Sequence, residues 1–389
     1  MTSPRETDLA ADTPGHWLAV RRALNVHRHE LAGLASRRYP AALRVAGTPL
    51  LSRQEWIPDR PLDLDEVELT WAGHAPAPVV KGSEPESAQV RPISAAGGER
   101  YPAYADALGA IDPPALFENR SCYRLLAADL DGGTSSMSLG RARYFDGVSI
   151  GEAIAHELAQ AWIEDPAITP ASRLPLRDLV GDPCDLSRRM AIPAITTLTL
   201  RRDRSGEASF LLHWRDPAKV THAGGLYQVM PVGIFQPAGD STESERSDLS
   251  VWRCMVREFS EEFLGTPEDY RNLGTPPDYS RWAFYRSLTD ARQADTLNVA
   301  CLGIGVDPLT FAVDILTVAV FDADLFDATF SDLVTANAEG QVINGPNTTG
   351  IPFTGEAVDR FAEGGEPMQA AGAAVLTLAW EHRAKILDW

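Results

Sequence analysis

Apolar residues recur at helical spacing through "GHWLAVRRALNVHRHELAGLASRRY", which predicts a helix from about Gly15 to Arg38. Residues 39–115 are proline-rich and lack sustained periodicity, and "APAPVVKGSEPESAQVRP" reads as an exposed connection. From about Leu116 to Trp162 the pattern tightens. "SMSLGRARYFD" alternates like a strand, and "SIGEAIAHELAQAW" predicts an amphipathic helix opened by Ser149 as N-cap.

After a polar, proline-marked stretch (about 165–190) the period changes. "AITTLTLRRD", the turn "RSG" and "EASFLLHWRD" form a hairpin signal, followed by the strand-like run "GGLYQVMPVGIF". An acidic loop, "QPAGDSTESERSD", leads into a helix from about Leu249 to Leu264. "TLNVACLGIGVD" and "FAVDILTVAVFDAD" read as buried strands, and "PMQAAGAAVLTLAWEHRAKIL" as a C-terminal helix. The pattern therefore predicts a lead-in over 1–14, expected to be disordered, an α+β region over 15–185, and an α/β region over 190–389.

Composition narrows the function classes. A chain of 389 residues with 44% hydrophobic and 23% charged residues can bury a large core and is expected to hold two or three domains. No apolar run approaches the ~18 residues of a membrane helix, and the first residues lack the basic-then-apolar pattern of a secretory signal. Cys122, Cys184, Cys254 and Cys301 are scattered with no CxxC pair, which argues against structural zinc and a disulfide framework. A reduced, cytoplasmic protein is the expectation. A net charge of −19 repels phosphate backbones, so nucleic acid is not the expected partner, whereas divalent cations could bridge the chain to phosphorylated small molecules.

The candidate chemistry lies in "VREFSEEFLG", residues 256–265. With about 100° between successive helical residues, Trp252, Met255, Val256, Phe259 and Phe263 form one apolar stripe. Glu258, Glu261 and Glu262 fall on the opposite side at i, i+3 and i+4 and are neighbours in space. Arg257 precedes Glu261 by four and could support it as an ion pair. Three adjacent carboxylates repel one another unless a cation or water screens them, and hard oxygen donors suit Mg²⁺ or Mn²⁺. A solvated helix face explains an acidic run without any ligand.

Arg257-Glu258-Phe259-Ser260-Glu261-Glu262 resembles the core of the Nudix box, Arg-Glu-apolar-x-Glu-Glu, with every specified position filled. "SFLLHWRDP" and "GGLYQVMPVG" are similar to the hairpin and the Pro-Gly-Gly strand that precede that motif, with Pro231 and Gly233 at matching places. The chain departs from the pattern at Val232, at Leu249 where the upstream glutamate belongs, in a longer loop where Glu243 or Glu245 could substitute, and at Gly265, one place late.

The resemblance implies a mixed sheet sandwiched by helices and hydrolysis of a diphosphate bond in a nucleotide-derived or other phosphorylated small molecule. It implies Mg²⁺ or Mn²⁺ held by Glu258, Glu261 and Glu262, with one glutamate or a metal-bound hydroxide activating water. Arg257, Glu261, Glu262 and Glu339 are the expected catalytic set, and Arg202, Arg215 and Gly233, with Arg201 nearby, the expected substrate contacts. A Nudix-like sensor or regulator that binds without hydrolysis is the alternative.

Three other signals carry less. "ADLDGGT" is similar to a phosphatase nucleophile motif, but its extra glycine moves Thr134 out of register and favours a glycine turn. "HELAQ" has Gln160 where a zincin helix needs its second histidine, so His156 and Glu157 are expected on a plain helix face. His213 and His222 flank the expected substrate strand and are assigned to packing or the surface. The basic N-terminal helix lacks the short helices of a DNA-binding domain and could instead form a homodimer interface.

Overall fold

The computed structural model describes residues 12–73, 75–95, 97–114, 116–215, 225–266, 277–333, 340–343, 350–363 and 365–388. Over the first half the elements are α1 (Pro14–Val26), α2 (Arg28–Ser36), β1 (Leu62–Asp63), β2 (Glu68–Gly73), α3 (Tyr104–Ile111), β3 (Ser121–Asp129), β4 (Ser136–Arg143), α4 (Tyr144–Glu164) and α5 (Pro175–Val180). The hairpin region follows as β5 (Pro193–Arg202), β6 (Ala208–Phe210), β7 (Leu212–Arg215), β8 (Tyr227–Val229) and β9 (Val232–Ile234). Beyond it lie α6 (Thr242–Ser247), α7 (Val251–Leu264), α8 (Ala283–Gln293), β10 (Leu297–Val306), β11 (Val313–Asp322) and α9 (Ala323–Thr329). The chain closes with β12 (Gly340–Ile343), β13 (Ile351–Pro352), α10 (Gly355–Ala362), α11 (Ala370–Glu381) and α12 (Arg383–Leu387).

β10 and β11 are the apolar runs read from the sequence, and they form the centre of a mixed sheet. β11 pairs antiparallel with β10 and parallel with β5 along its whole length, and β1 extends the β10 edge. On the far side of β5, β9 pairs with residues 194–196 and β6 with residues 200–202. Both faces of β11 are buried, as a central strand between two helical layers requires. Val313, Ile315, Ala319 and Phe321 join the cluster beneath α7, whereas Leu316, Val318 and Val320 pack with α10 and α11. The fold is α/β, a mixed sheet between helices.

Several expected elements are subdivided. The first helix breaks at His27, and α4 begins at Tyr144, so Ser149 lies inside it rather than capping it. The second hairpin arm divides at Leu211 between the main sheet and a small sheet of β12, β7 and β8. The run "YQVMPVGI" likewise divides at Met230-Pro231, because proline has no N–H to donate to a ladder. Within the acidic loop, Ser241 caps α6 by accepting the Ser244 N–H at 3.0 Å.

The compositional boundary near residues 185–190 does not divide the core. One hydrophobic cluster runs from Trp17, Tyr104, Leu139 and Ile154 to Phe259 and Phe321. β3 also bonds across it, with Tyr123 N–H donating to Phe235 O at 3.3 Å and Leu125 N–H to Ala191 O at 2.9 Å. Residues 190–389 expressed alone are therefore expected to bind a hydrophobic dye and melt without cooperativity, whereas the whole chain melts cooperatively by circular dichroism.

Candidate functional site

α7 is built as its sequence predicts. Ser250 caps its start, accepting the Arg253 N–H at 3.2 Å, and Gly265 ends it in the left-handed region at φ 65°. The late glycine is thus the C-cap. Trp252, Met255, Val256, Phe259 and Phe263 are all buried, and Phe259 meets Phe321 of β11 with ring centroids 5.5 Å apart.

Arg257 is buried and committed to structure. Its Nη1 donates to Tyr279 Oη at 2.6 Å and its Nη2 to Gln236 O at 2.6 Å. Tyr279 Oη donates in turn to Asp248 Oδ1 at 2.6 Å, and Asp248 also accepts the Ala238 N–H at 2.8 Å. The expected catalytic arginine therefore joins the middle of α7 to the segment after β9.

Two of the three acids, Glu258 and Glu262, turn toward the Pro-x-Gly strand and not into bulk solvent. Glu258 is buried and its carboxyl group lies against Gly233, where a Cβ would overlap it. Glu262 is half-buried and accepts the Val232 N–H at 3.1 Å. Glu261 is half-buried one turn from Glu258. Oxygen donors suit Mg²⁺ or Mn²⁺ chemically. Among the described residues no group of three or more His, Cys, Asp or Glu side chains is gathered as a cation site.

The remaining expected site residues disperse. Leu249 packs partly buried beside Trp252, and Glu245 is buried and paired with Arg141 at 2.5 Å, while Glu243 is exposed. Arg202 lies at the opposite end of β5 from the Gly233 pairing, where it bonds Asp322 at 2.7 Å and Leu387 O at 2.8 Å. Arg201 pairs with Asp327 at 2.6 Å. Neither joins the acidic helix, because about seven residues of extended strand separate them from Ile195. Glu339 and His222 lie outside the described residues.

Arg215 and Gly233 instead meet at a cavity of about 500 Å³ behind β9. Its wall includes Val232, Gly233 and Ile234, Arg21, Arg28 and Glu152 from α1, α2 and α4, and Asp307, Phe311 and Asp314 around the start of β11. None of the three glutamates lines it. Glu152 holds Arg21 at 2.8 Å and Arg28 at 3.2 Å. Asp314 is buried, accepts Thr196 Oγ1 at 2.7 Å, and is pushed from 3.8 up to about 7 mainly by burial. Arg189, also on the wall, is buried and held down at about 10 by the same desolvation.

Asp314 was visible as the one acid inside an apolar run, whereas "SRRMAIP" marks Arg189 by nothing. The motifs set aside resolve into structure. Asp129 accepts the Gly132 N–H at 2.8 Å in a turn. His156 and Glu157 are buried inside α4, not on a plain face. His156 contacts Tyr104 Oη at 3.0 Å and is pushed down to about 3 by burial, and Glu157 accepts the Leu176 and Arg177 N–H groups at the start of α5. All four cysteines are buried and free, and no helix among the described residues is long and apolar enough to cross a membrane.

No protein-family model matches this chain, and no curated protein matches it in sequence.

Two measurements check this geometry. Gly233→Ala is expected to destabilise by ~1–3 kcal/mol, because the Glu258 carboxyl must leave a buried position, and Glu258→Ala is expected to relieve most of that loss in a double-mutant cycle. For Asp314 the folded group titrates above the unfolded one, so relative stability is full below about 3.8 and falls as pH rises through about 7. Asp314→Asn should therefore melt above the wild type at pH 8, with the difference shrinking towards pH 5.

Proposed function

We propose that this protein is a Nudix-like ligand-binding protein, a sensor or regulator for a phosphorylated small molecule. The observation that carries this reading is the division of labour across β9. On one side the helix acids are occupied with the strand itself, Glu258 against Gly233 and Glu262 on the Val232 N–H. On the other side a cavity of about 500 Å³ offers apolar walls and arginines, the usual character of a small-molecule site. The place of the upstream glutamate is held by Leu249, and Glu245 is already paired with Arg141.

A second reading is hydrolysis of a diphosphate bond with Mg²⁺ or Mn²⁺ at Glu258, Glu261 and Glu262. It is favoured by one observation: at least two of these carboxylates meet the Pro-x-Gly strand, the arrangement that the motif leads one to expect.

A panel of nucleoside diphosphate derivatives, assayed with Mg²⁺ and with Mn²⁺ for turnover and by calorimetry for binding, separates the two. The sensor reading expects saturable binding with no metal-dependent product above background. Metal-dependent turnover that drops about 100-fold or more in Glu261→Gln or Glu262→Gln overturns it in favour of hydrolysis, since such groups contribute ~10²–10⁴-fold.

A further inference from the structure

Two buried arginines, Arg177 and Arg189, meet the loop before β11 and a third, Arg124, bonds the Arg189 carbonyl, and the three are not equivalent. Arg177 donates to Pro308 O at 2.6 Å and Leu309 O at 2.8 Å. Arg124 donates to Pro76 O at 2.6 Å and Leu186 O at 3.2 Å. Arg189 is 1% exposed, and none of its three guanidinium nitrogens has a hydrogen-bond partner among the described residues. Its guanidinium carbon lies 5.6 Å from the centre of the Phe311 ring, over which Arg177 also sits at 4.7 Å. Phe311 adopts a left-handed backbone at φ 57°, a strained conformation for an aromatic residue.

A guanidinium carries five N–H donors in a planar fork. Buried without acceptors it is destabilising, and an oxyanion is the group that matches the fork in both charge and geometry. Arg189 lines the cavity behind β9, where Arg21, Arg28 and Arg215 outnumber the ionised acids once Asp314 is protonated. Ile192, Met368 and Phe311 supply apolar wall. We propose that this cavity is a binding site for a small organic oxyanion, a phosphate or carboxylate on an apolar body, with Arg189 as its anchor. The proposal rests on the ligand-binding reading above and gives it a location distinct from the acidic helix.

Calorimetry on the whole chain tests it with phenyl phosphate, phenylacetate and the uncharged benzyl alcohol. Wild-type protein is expected to bind at least one anion about 10-fold or more tightly than the alcohol, and the ratio of the two anions assigns phosphate or carboxylate. Arg189→Met, close in volume and without the buried charge, is expected to fold with an unchanged or raised melting temperature. It should lose about 10-fold or more in anion affinity and keep its affinity for the alcohol, with Arg189→Lys intermediate.

Anion affinity unchanged in Arg189→Met, or no preference for anions in the wild type, overturns the proposal. The second comparison needs no variant and decides even if Arg189→Met fails to fold. Anion binding lost in Glu262→Gln but kept in Arg189→Met moves the ligand to the acidic helix, overturning the cavity while the ligand-binding reading stands.

Discussion

The buried bond set centred on Arg257 fixes the relation between α7 and β9, and the geometry around the acidic residues follows from it. An arginine in the interior is tolerable only when its charge and donors are met. Here the Gln236 carbonyl, the Tyr279 hydroxyl and Asp248 meet them from three separate segments. Asp248 lies 3.6 Å from Arg257 and is fully buried, so truncating either member would strand the other charge. The network pins the chain immediately after β9 to the middle of α7. With those two points joined, Glu258 comes to lie on Gly233 and Glu262 on the Val232 N–H. The absence of a side chain at Gly233 is the steric condition for that approach.

β5 gives this junction its rigidity. The strand is paired along one edge by β11 and divided along the other between β9 and β6, so β9 is anchored to the sheet centre through only three residue pairs. Those pairs are reinforced from outside the ladder, as Thr197 N–H donates to Pro231 O at 3.0 Å and Thr199 Oγ1 to Met230 O at 2.8 Å. A short strand held in this way can serve as a wall between two environments, acidic on the α7 side and arginine-rich on the other.

Local periodicity carried the reading where contacts are local. The apolar stripe of α7, the buried strands β10 and β11 and the helix α11 were all legible, because each is decided by a repeat of 3.6 or by an unbroken apolar run. The division of the second hairpin arm at Leu211 was not, since it depends on which sheet each half finds. Nor was the continuity of the core across residues 185–190, where Tyr123 and Leu125 bond to residues far away in sequence. Arg257 was recognised as part of a motif, but its role depends on Asp248 and Tyr279, whose convergence no spacing announces. Charge patterns were least informative where they mattered most, because Arg188 and Arg189 are adjacent and yet, of the two, Arg189 is the one buried with no hydrogen-bond partner for its guanidinium among the described residues.

The distribution of charge between surface and interior constrains how such a cavity could be filled. A net charge of −19 gives an outer field that opposes an approaching anion, although physiological salt screens it beyond about 8 Å. Arg21, Arg28, Arg124, Arg177, Arg189 and Arg257 are nevertheless buried, alongside the acids Glu152, Glu157, Glu245, Asp248, Glu258 and Asp314. Most of these arginines are met in place, Arg21 and Arg28 by the charge of Glu152, Arg257 by that of Asp248, and Arg124 and Arg177 by hydrogen bonds to carbonyls. Recognition of an anion then depends on short-range contact within the cavity, not on long-range attraction. An apolar body would supply the driving force to enter, and the unmatched fork of Arg189 the selectivity once inside.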